Sequence, residues 1–291
     1  MNNFKVNHPR ENLQFEINFT NAHREAVCQF THPAQIETAC LRAQFPAILH
    51  PIQDEDLIAG RIQMGLVGLG IQHQTGGFGF YINEERVAKE LETGAGNAKY
   101  REDLHDVLTY WKGRNTNAIV LRNTPEDIRQ ALVSDEWRTM PLPASPILRM
   151  AGAYIDFDKL VRIGIPDLRD EVRAYRKQAA SERGDVILFD SMLEVLDLVV
   201  VVCGYYCDQT RELAATSDSD VRRAQLERMA DALEAVSSRP PGSMLEALQL
   251  VWIYSIMAPL IEFGRLDEYL GDLYVHDVEN GIITEKMQLS S

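Results

Sequence analysis

The chain has 291 residues, 45% of them hydrophobic, with 43 acidic side chains against 29 basic ones and a formal net charge of -14. That length and composition suit one large buried core or two modest ones and exclude the disordered class. The negative balance repels phosphate backbones and anionic lipid surfaces, so neither nucleic acid nor a membrane is an expected partner.

Residues 1–10 contain no apolar signal core, and the most apolar stretches, 198–207 and 250–261, fall short of the roughly 20 residues of a spanning helix, so the expected location is the cytoplasm. Cys28, Cys40, Cys203 and Cys207 are too few for a disulfide framework in a chain of this size, and thiols are expected.

In chain order, Ile36, Cys40 and Ala43 recur at helical spacing within 31–44, with Phe45-Pro46 opening the exit. Residues 56–81 carry Gly60, Gly65, Gly68, Gly70, Gly76, Gly77 and Gly79 among apolar residues, the pattern of a loop or irregular strand. Helical pattern resumes over 83–112, broken at Gly94-Ala95-Gly96, and again after Thr124-Pro125-Glu126-Asp127, where a cap, a first-turn proline and acids coincide. From 156 to 291 the pattern is a continuous helical bundle of long antiparallel helices. Asp156 and Ser217 are its expected caps, and Arg173, Lys177, Glu227, Arg228 and Glu234 mark solvated faces. The β-branched run Val199-Val-Val-Val202 favours a strand locally, but strong helix formers flank it, so it reads as a helix buried all round.

Several constellations invite chemistry. Gly65-Leu-Val-Gly68-Leu-Gly70 reverses the glycine order of a dinucleotide loop and is followed by no P-loop lysine, so a tight, close-packed turn accounts for it. Cys203 and Cys207 share a helix face but have no third ligand at fixed spacing, which suits buried small hydrophobes. His73, in the polar patch Gln72-His73-Gln74-Thr75, either faces a pocket or is satisfied by backbone; His23 and His50 read as surface or turn residues.

Three ordered segments carry a resemblance. Arg239-Pro-Pro-Gly-Ser-Met-Leu-Glu246-Ala247-Leu248-Gln249-Leu-Val-Trp252 is similar to the proline pair and EALQ helix of glycyl radical enzymes of the pyruvate formate-lyase type. Gly264-Arg265-Leu266-Asp267-Glu268-Tyr269 is similar to their GRxDQY segment, and Asp277-Val-Glu-Asn-Gly281-Ile282-Ile283-Thr284 to their D-x-x-x-G-x-I-T turn. Weaker echoes lie upstream at 52–60, at Tyr110-Trp111-Lys112-Gly113, and at Asp156-Phe157-Asp158-Lys159-Leu160 with Gly164-Ile165. The chain departs from diol dehydratase-like members at Ala151-Gly152-Ala153-Tyr154, which lacks a histidine. It departs again at Met257-Ala258-Pro259-Leu260-Ile261, which is apolar where a polar loop is usual.

The resemblance implies a mainly α fold with few or short strands, the N-terminal helical part of that family's α/β barrel. It implies radical cleavage of a C–C, C–O, C–N or C–S bond in a small substrate. None of the four cysteines matches the family's catalytic loop and no RVxGY-like motif occurs. The catalytic cysteine and the radical glycine, installed by a radical-SAM activase, are therefore expected on a C-terminal half or a complementary chain, and no cofactor is expected on this one. A second copy of the chain is a further candidate partner.

No catalytic or metal-binding residue is assigned. Arg265 and Asp267, expected at the end of a helix over 248–263 and partly buried like Gln249, are candidates for organising a loop or meeting a carboxylate substrate. Glu262 and His73 complete the candidate set, Glu262 for a raised pKa in an apolar run. Two further readings stay open: a catalytically inert helical interaction protein derived from the family, and an unrelated helical binding module.

Overall fold

The computed structural model describes residues 13–71, 78–92, 98–128, 155–258 and 263–283. It is mostly helical with two short strands, and no described helix is long and apolar enough to cross a membrane. The chain divides into two compact units, Met1–Gln29 with Met64–Arg149 and Phe30–Gln63 with Met150–Ser291.

The first unit contains α1 (Gln14–Gln29), β1 (Val67–Ile71), β2 (Phe78–Ile82), α3 (Glu84–Glu92), α4 (Ala98–Trp111) and α5 (Thr116–Asn123). The glycine-rich segment, expected as loop or irregular strand, contains strand, and the tight turn expected at 65–70 is not formed: Gly68 and Gly70 lie inside β1, which pairs antiparallel with β2 from Val67↔Ile82 to Ile71↔Phe78. Among the described residues this hairpin is the sheet structure, and no barrel is formed. The predicted helix over 83–112 contains α3 and α4, and the break expected at Gly94-Ala95-Gly96 lies outside the described residues. The helix expected after Pro125 is described only to residue 128.

Leu13, Leu66, Val87 and Leu104 form one buried cluster, with Ile17, Ile82, Tyr100 and Leu108 packed around it. Beside it Trp111 is fully buried, stacked on Phe19 at 5.7 Å between centroids, and its indole N–H donates to the Thr20 hydroxyl at 2.9 Å. The echo Tyr110-Trp111-Lys112-Gly113 therefore supplies the centre of this core. His23 corrects the surface reading: it lies on α1, is 7% exposed, pairs through Nδ1 with the Tyr110 hydroxyl at 2.8 Å, and meets the rings of Phe80 and Trp111 at 4.7 Å. The reason is spacing. Phe15, Phe19, His23 and Ala26 occupy one helical face, all buried, so the imidazole takes a core position on an otherwise polar helix.

The second unit contains α2 (Pro33–Gln44), an irregular stretch to residue 63, α6 (Phe157–Ser181), α7 (Ile187–Thr216), α8 (Asp220–Ser238), α9 (Met244–Met257) and α10 (Leu266–Glu279). Asp156 caps α6 by accepting from Lys159 N–H. The helix breaks at Gly164 (φ 68°), just before Pro166. The β-branched run is helical in α7, with Val199 and Val202 buried and Val201 turned outward. The cap of α8 is Ser219, whose hydroxyl accepts from Arg222 N–H, whereas Ser217, the expected cap, ends α7. α7 and α8 pack along much of their length, and α9 contacts α6, α7, α8 and α10. Apolar nearly all round, α9 is the central helix of this unit, with Leu250 and Ile253 fully buried.

Burial, and then the Arg114 guanidinium, lower the His23 pKa to about 4. The unfolded chain takes up this proton near pH 6.5 and the folded one resists it. The contribution is therefore complete above that pH, declines as pH falls, and levels off near pH 4 where the folded state also protonates. We expect the first unit to lose on the order of 2–3 kcal/mol across that window, measured by urea denaturation as a function of pH, with most of the slope gone in His23→Gln.

Candidate functional site

The EALQ segment, the 52–60 echo and the D-x-x-x-G turn meet at α9 in the second unit. The Gln249 side chain is fully buried, accepts from Ala59 N–H through Oε1 and donates to the Ala59 carbonyl through Nε2, both at 2.8 Å. One turn on, the Trp252 indole N–H donates to the Gly60 carbonyl at 2.6 Å. Gly60 has φ 125°, and a Cβ there would lie 2.8 Å from Trp252 Cδ1, so this close approach admits only glycine. A glutamine amide that pairs with both polar groups of one residue replaces the partner strand an irregular segment lacks.

The neighbouring helices hold the same segment. Ile52 N–H donates to Gln209 Oε1 at 2.8 Å, and Arg222 donates to the carbonyls of Asp56 and Gln53 at 2.8 and 2.7 Å. Arg61 pairs with Asp56. The buried Tyr206 hydroxyl accepts from Arg61 N–H at 3.1 Å and faces the His50 and Arg61 carbonyls at 3.0 Å. Burial pushes this phenol up to about 12, so it remains a protonated donor throughout the physiological range.

At the start of α9 the sequence Ser243-Met-Leu-Glu246 forms a capping arrangement: the Ser243 hydroxyl accepts from Glu246 N–H at 3.3 Å, while the Glu246 carboxylate reaches back to Gly242 N–H at 2.7 Å. Arg239 binds that carboxylate with two N–H groups at 2.7 and 2.8 Å. Met244 N–H donates to Asp277 Oδ2 at 2.8 Å. Asp277 is 1% exposed on α10, so the third motif supplies an anion to the N-terminus of the helix built by the first, where the helix dipole favours it. The proline pair rests on Gly164, where a Cβ would fall 2.8 Å from Pro240 Cα.

The predicted site residues are not brought together. His73 and Glu262 lie outside the described residues. Arg265 binds Asp267 through Nε at 2.9 Å and Nη2 at 2.6 Å, and reaches Glu268 at 3.0 Å. This pairing raises the Arg265 pKa and lowers that of Asp267. Arg265 and Asp267 are about 70% exposed, which corrects the expectation of partial burial; Gln249, of the same three, is the buried one. Arg265 is also not at the end of a helix over 248–263: α9 stops at Met257, and Arg265 is the N-cap residue of α10. In the same motif the inward-facing residue is the half-buried Tyr269. Phe157 stacks on Phe263 and Tyr269 at 5.9 and 5.8 Å, and the Tyr269 hydroxyl donates to the Phe263 carbonyl at 2.7 Å.

Sequence reasoning missed Asp277 as a structural anion and Asp56 as the partner of Arg61. The signal available for the first was its place in a matched motif.

Replacing Gln249 by Leu leaves the Ala59 N–H and carbonyl buried without partners, for which we expect about 2–4 kcal/mol of lost stability in chemical denaturation. Arg265→Ala, which removes an exposed ion pair, should leave stability unchanged in the same measurement. Equal losses from both variants would contradict the geometry.

A family model described as "Pyruvate formate lyase-like" matches residues 15–288. The chain is 27% identical over 207 residues to the probable dehydratase YbiW of Escherichia coli (strain K12), covering 64% of this chain and 24% of that protein. It is 31% identical over 236 residues to the indoleacetate decarboxylase of Tractidigestivibacter scatoligenes, covering 72% and 24%. A structure described for 1,2-propanediol dehydration in Roseburia inulinivorans superposes with a TM-score of 0.72 at 17% identity, over 93% of this chain and 33% of that one. The hydroxyproline dehydratase of Clostridioides difficile gives 0.68 at 17% identity, over 95% and 36%. The chain thus spans about a quarter of the length of the curated relatives it matches. A match to the family model over nearly all of its length, with the three motifs after Arg239 placed in the second unit, makes this chain a member of the pyruvate formate lyase-like family of glycyl radical enzymes, corresponding to their N-terminal portion.

Proposed function

We propose that this polypeptide is the N-terminal part of a glycyl radical lyase, acting in the cytoplasm on a small substrate by radical cleavage of a C–C, C–O, C–N or C–S bond. The observation that carries the reading is the conjunction of the family match over 15–288 with the hydrogen bonds that the motif residues Gln249, Trp252 and Asp277 make to backbone groups of the second unit. In this reading the chain is a wall of the reaction chamber. The α/β barrel, the thiyl-forming cysteine and the radical glycine belong to polypeptide outside these residues, and a radical-SAM activase installs the radical. That radical supplies hydrogen-atom abstraction through the cysteine, and walls that exclude water and oxidants protect it. Arg265 and Asp267 organise the loop that opens α10; His73 and Glu262 stay as pocket candidates. The relatives' substrates differ enough that none is assigned.

An inert, family-derived interaction protein is the second reading, favoured by the solvent-facing Arg265–Asp267 pair. The two separate in anaerobic reconstitution with the companion polypeptide carrying the cysteine loop and an RVxGY-like motif, and its activase. A glycyl radical signal in electron paramagnetic resonance together with lyase turnover, both lost when this chain is left out, is the expected result. Full turnover without this chain would contradict the first reading.

A further inference from the structure

α10 has two faces of opposite character. Tyr269, Leu270, Leu273 and Asp277 point inward, where Leu270 and Asp277 are buried and the helix packs on α6 and α9. On the outer side Tyr274 (38% exposed), Val275 (51%) and Val278 (38%) form an apolar stripe at spacings of three and four. Glu268, Asp272 and Glu279, all exposed, run along one edge of it. A helix stripe of this kind inside one folded unit ordinarily faces a core, and a contiguous exposed apolar strip with a charged rim marks an interaction surface.

We infer that this stripe is the docking face for the polypeptide that completes the lyase, and that the surface it receives is an apolar groove edged by lysine or arginine. The inference rests on the reading under Proposed function and specifies its contact. Two observations select this occupant. The chain accounts for only 33–36% of the solved chains it superposes on, so most of the fold lies outside it. The acidic edge, in a chain of net charge -14, opposes a second copy of the same face and attracts a basic one. The motif residues divide the same way, since Asp277 is turned inward to hold α9 while Arg265 and Asp267 stand at the head of the outer face.

The test uses the full chain co-expressed with the companion polypeptide that carries the cysteine loop and the RVxGY-like motif. Val275→Asp with Val278→Asp should reduce co-purification at least about tenfold, with an unchanged helical circular-dichroism spectrum because both positions are exposed. Val221→Asp on α8, 71% exposed, should leave it unchanged. Glu268→Lys with Glu279→Lys should weaken the complex and flatten its salt dependence. A photo-crosslinker placed at position 278 should join this chain to that companion. If the companion co-purifies equally well with the double aspartate variant, or position 278 crosslinks to a second copy of this chain, the docking face is wrong while the lyase reading stands. If the wild-type chain binds no such companion, the lyase reading itself has failed and this inference with it.

Discussion

One amide carries the second unit: Gln249 pairs with the Ala59 N–H and carbonyl inside a fully dry contact. An irregular segment of about a dozen residues cannot satisfy its own backbone groups as a helix or strand does, and buried amides without partners are costly. The segment from His50 to Gln63 meets this constraint by borrowing side chains from three helices: Tyr206 and Gln209 from α7, Arg222 from α8, and Gln249 and Trp252 from α9. Remove the glutamine and the Ala59 N–H and carbonyl lose these buried partners.

That arrangement explains why the recognisable residues are the ones they are. The EALQ helix is legible because its glutamine and tryptophan must meet a fixed stretch of backbone, and Gly60 must leave room for the indole. The proline pair is legible because Pro240 closes onto Gly164. The D-x-x-x-G turn is legible because Asp277 serves the α9 N-terminus while its own carbonyl receives Ile282 N–H, closing α10. These motifs encode how parts of one unit are joined. None of them, among the described residues, gathers acid, base and nucleophile into a reacting set.

The helical character of α2, α3, α4 and of the region from α6 onward could be read from periodicity, but the boundaries inside 156–291 could not: α6 breaks at Gly164, Ser219 and not Ser217 caps α8, and α9 ends at Met257. α1 escaped because its buried face includes Glu16, Thr20 and His23, polar residues that hide a helical stripe until their partners are known. α5 escaped because it is a single short helix whose only strong signal is the Asn115 cap. Ser217 and Ser219 are equivalent as letters, and which one caps depends on where α7 ends. The exposure of Arg265 and Asp267 was not legible at all, because a matched motif reports which residues recur and says nothing of which way they face.

The central claim is that Gln249 locks a loop into the core as firmly as if it were regular structure. Native-state hydrogen exchange at the Ala59 amide tests it most directly, because that N–H is bonded to a side chain and lies outside any helix or strand. The account predicts that it exchanges only with the global opening of the second unit, at the same free energy as the buried Ile253 amide in α9. Exchange at the rate of an exposed loop amide, with Ile253 still protected, would contradict it.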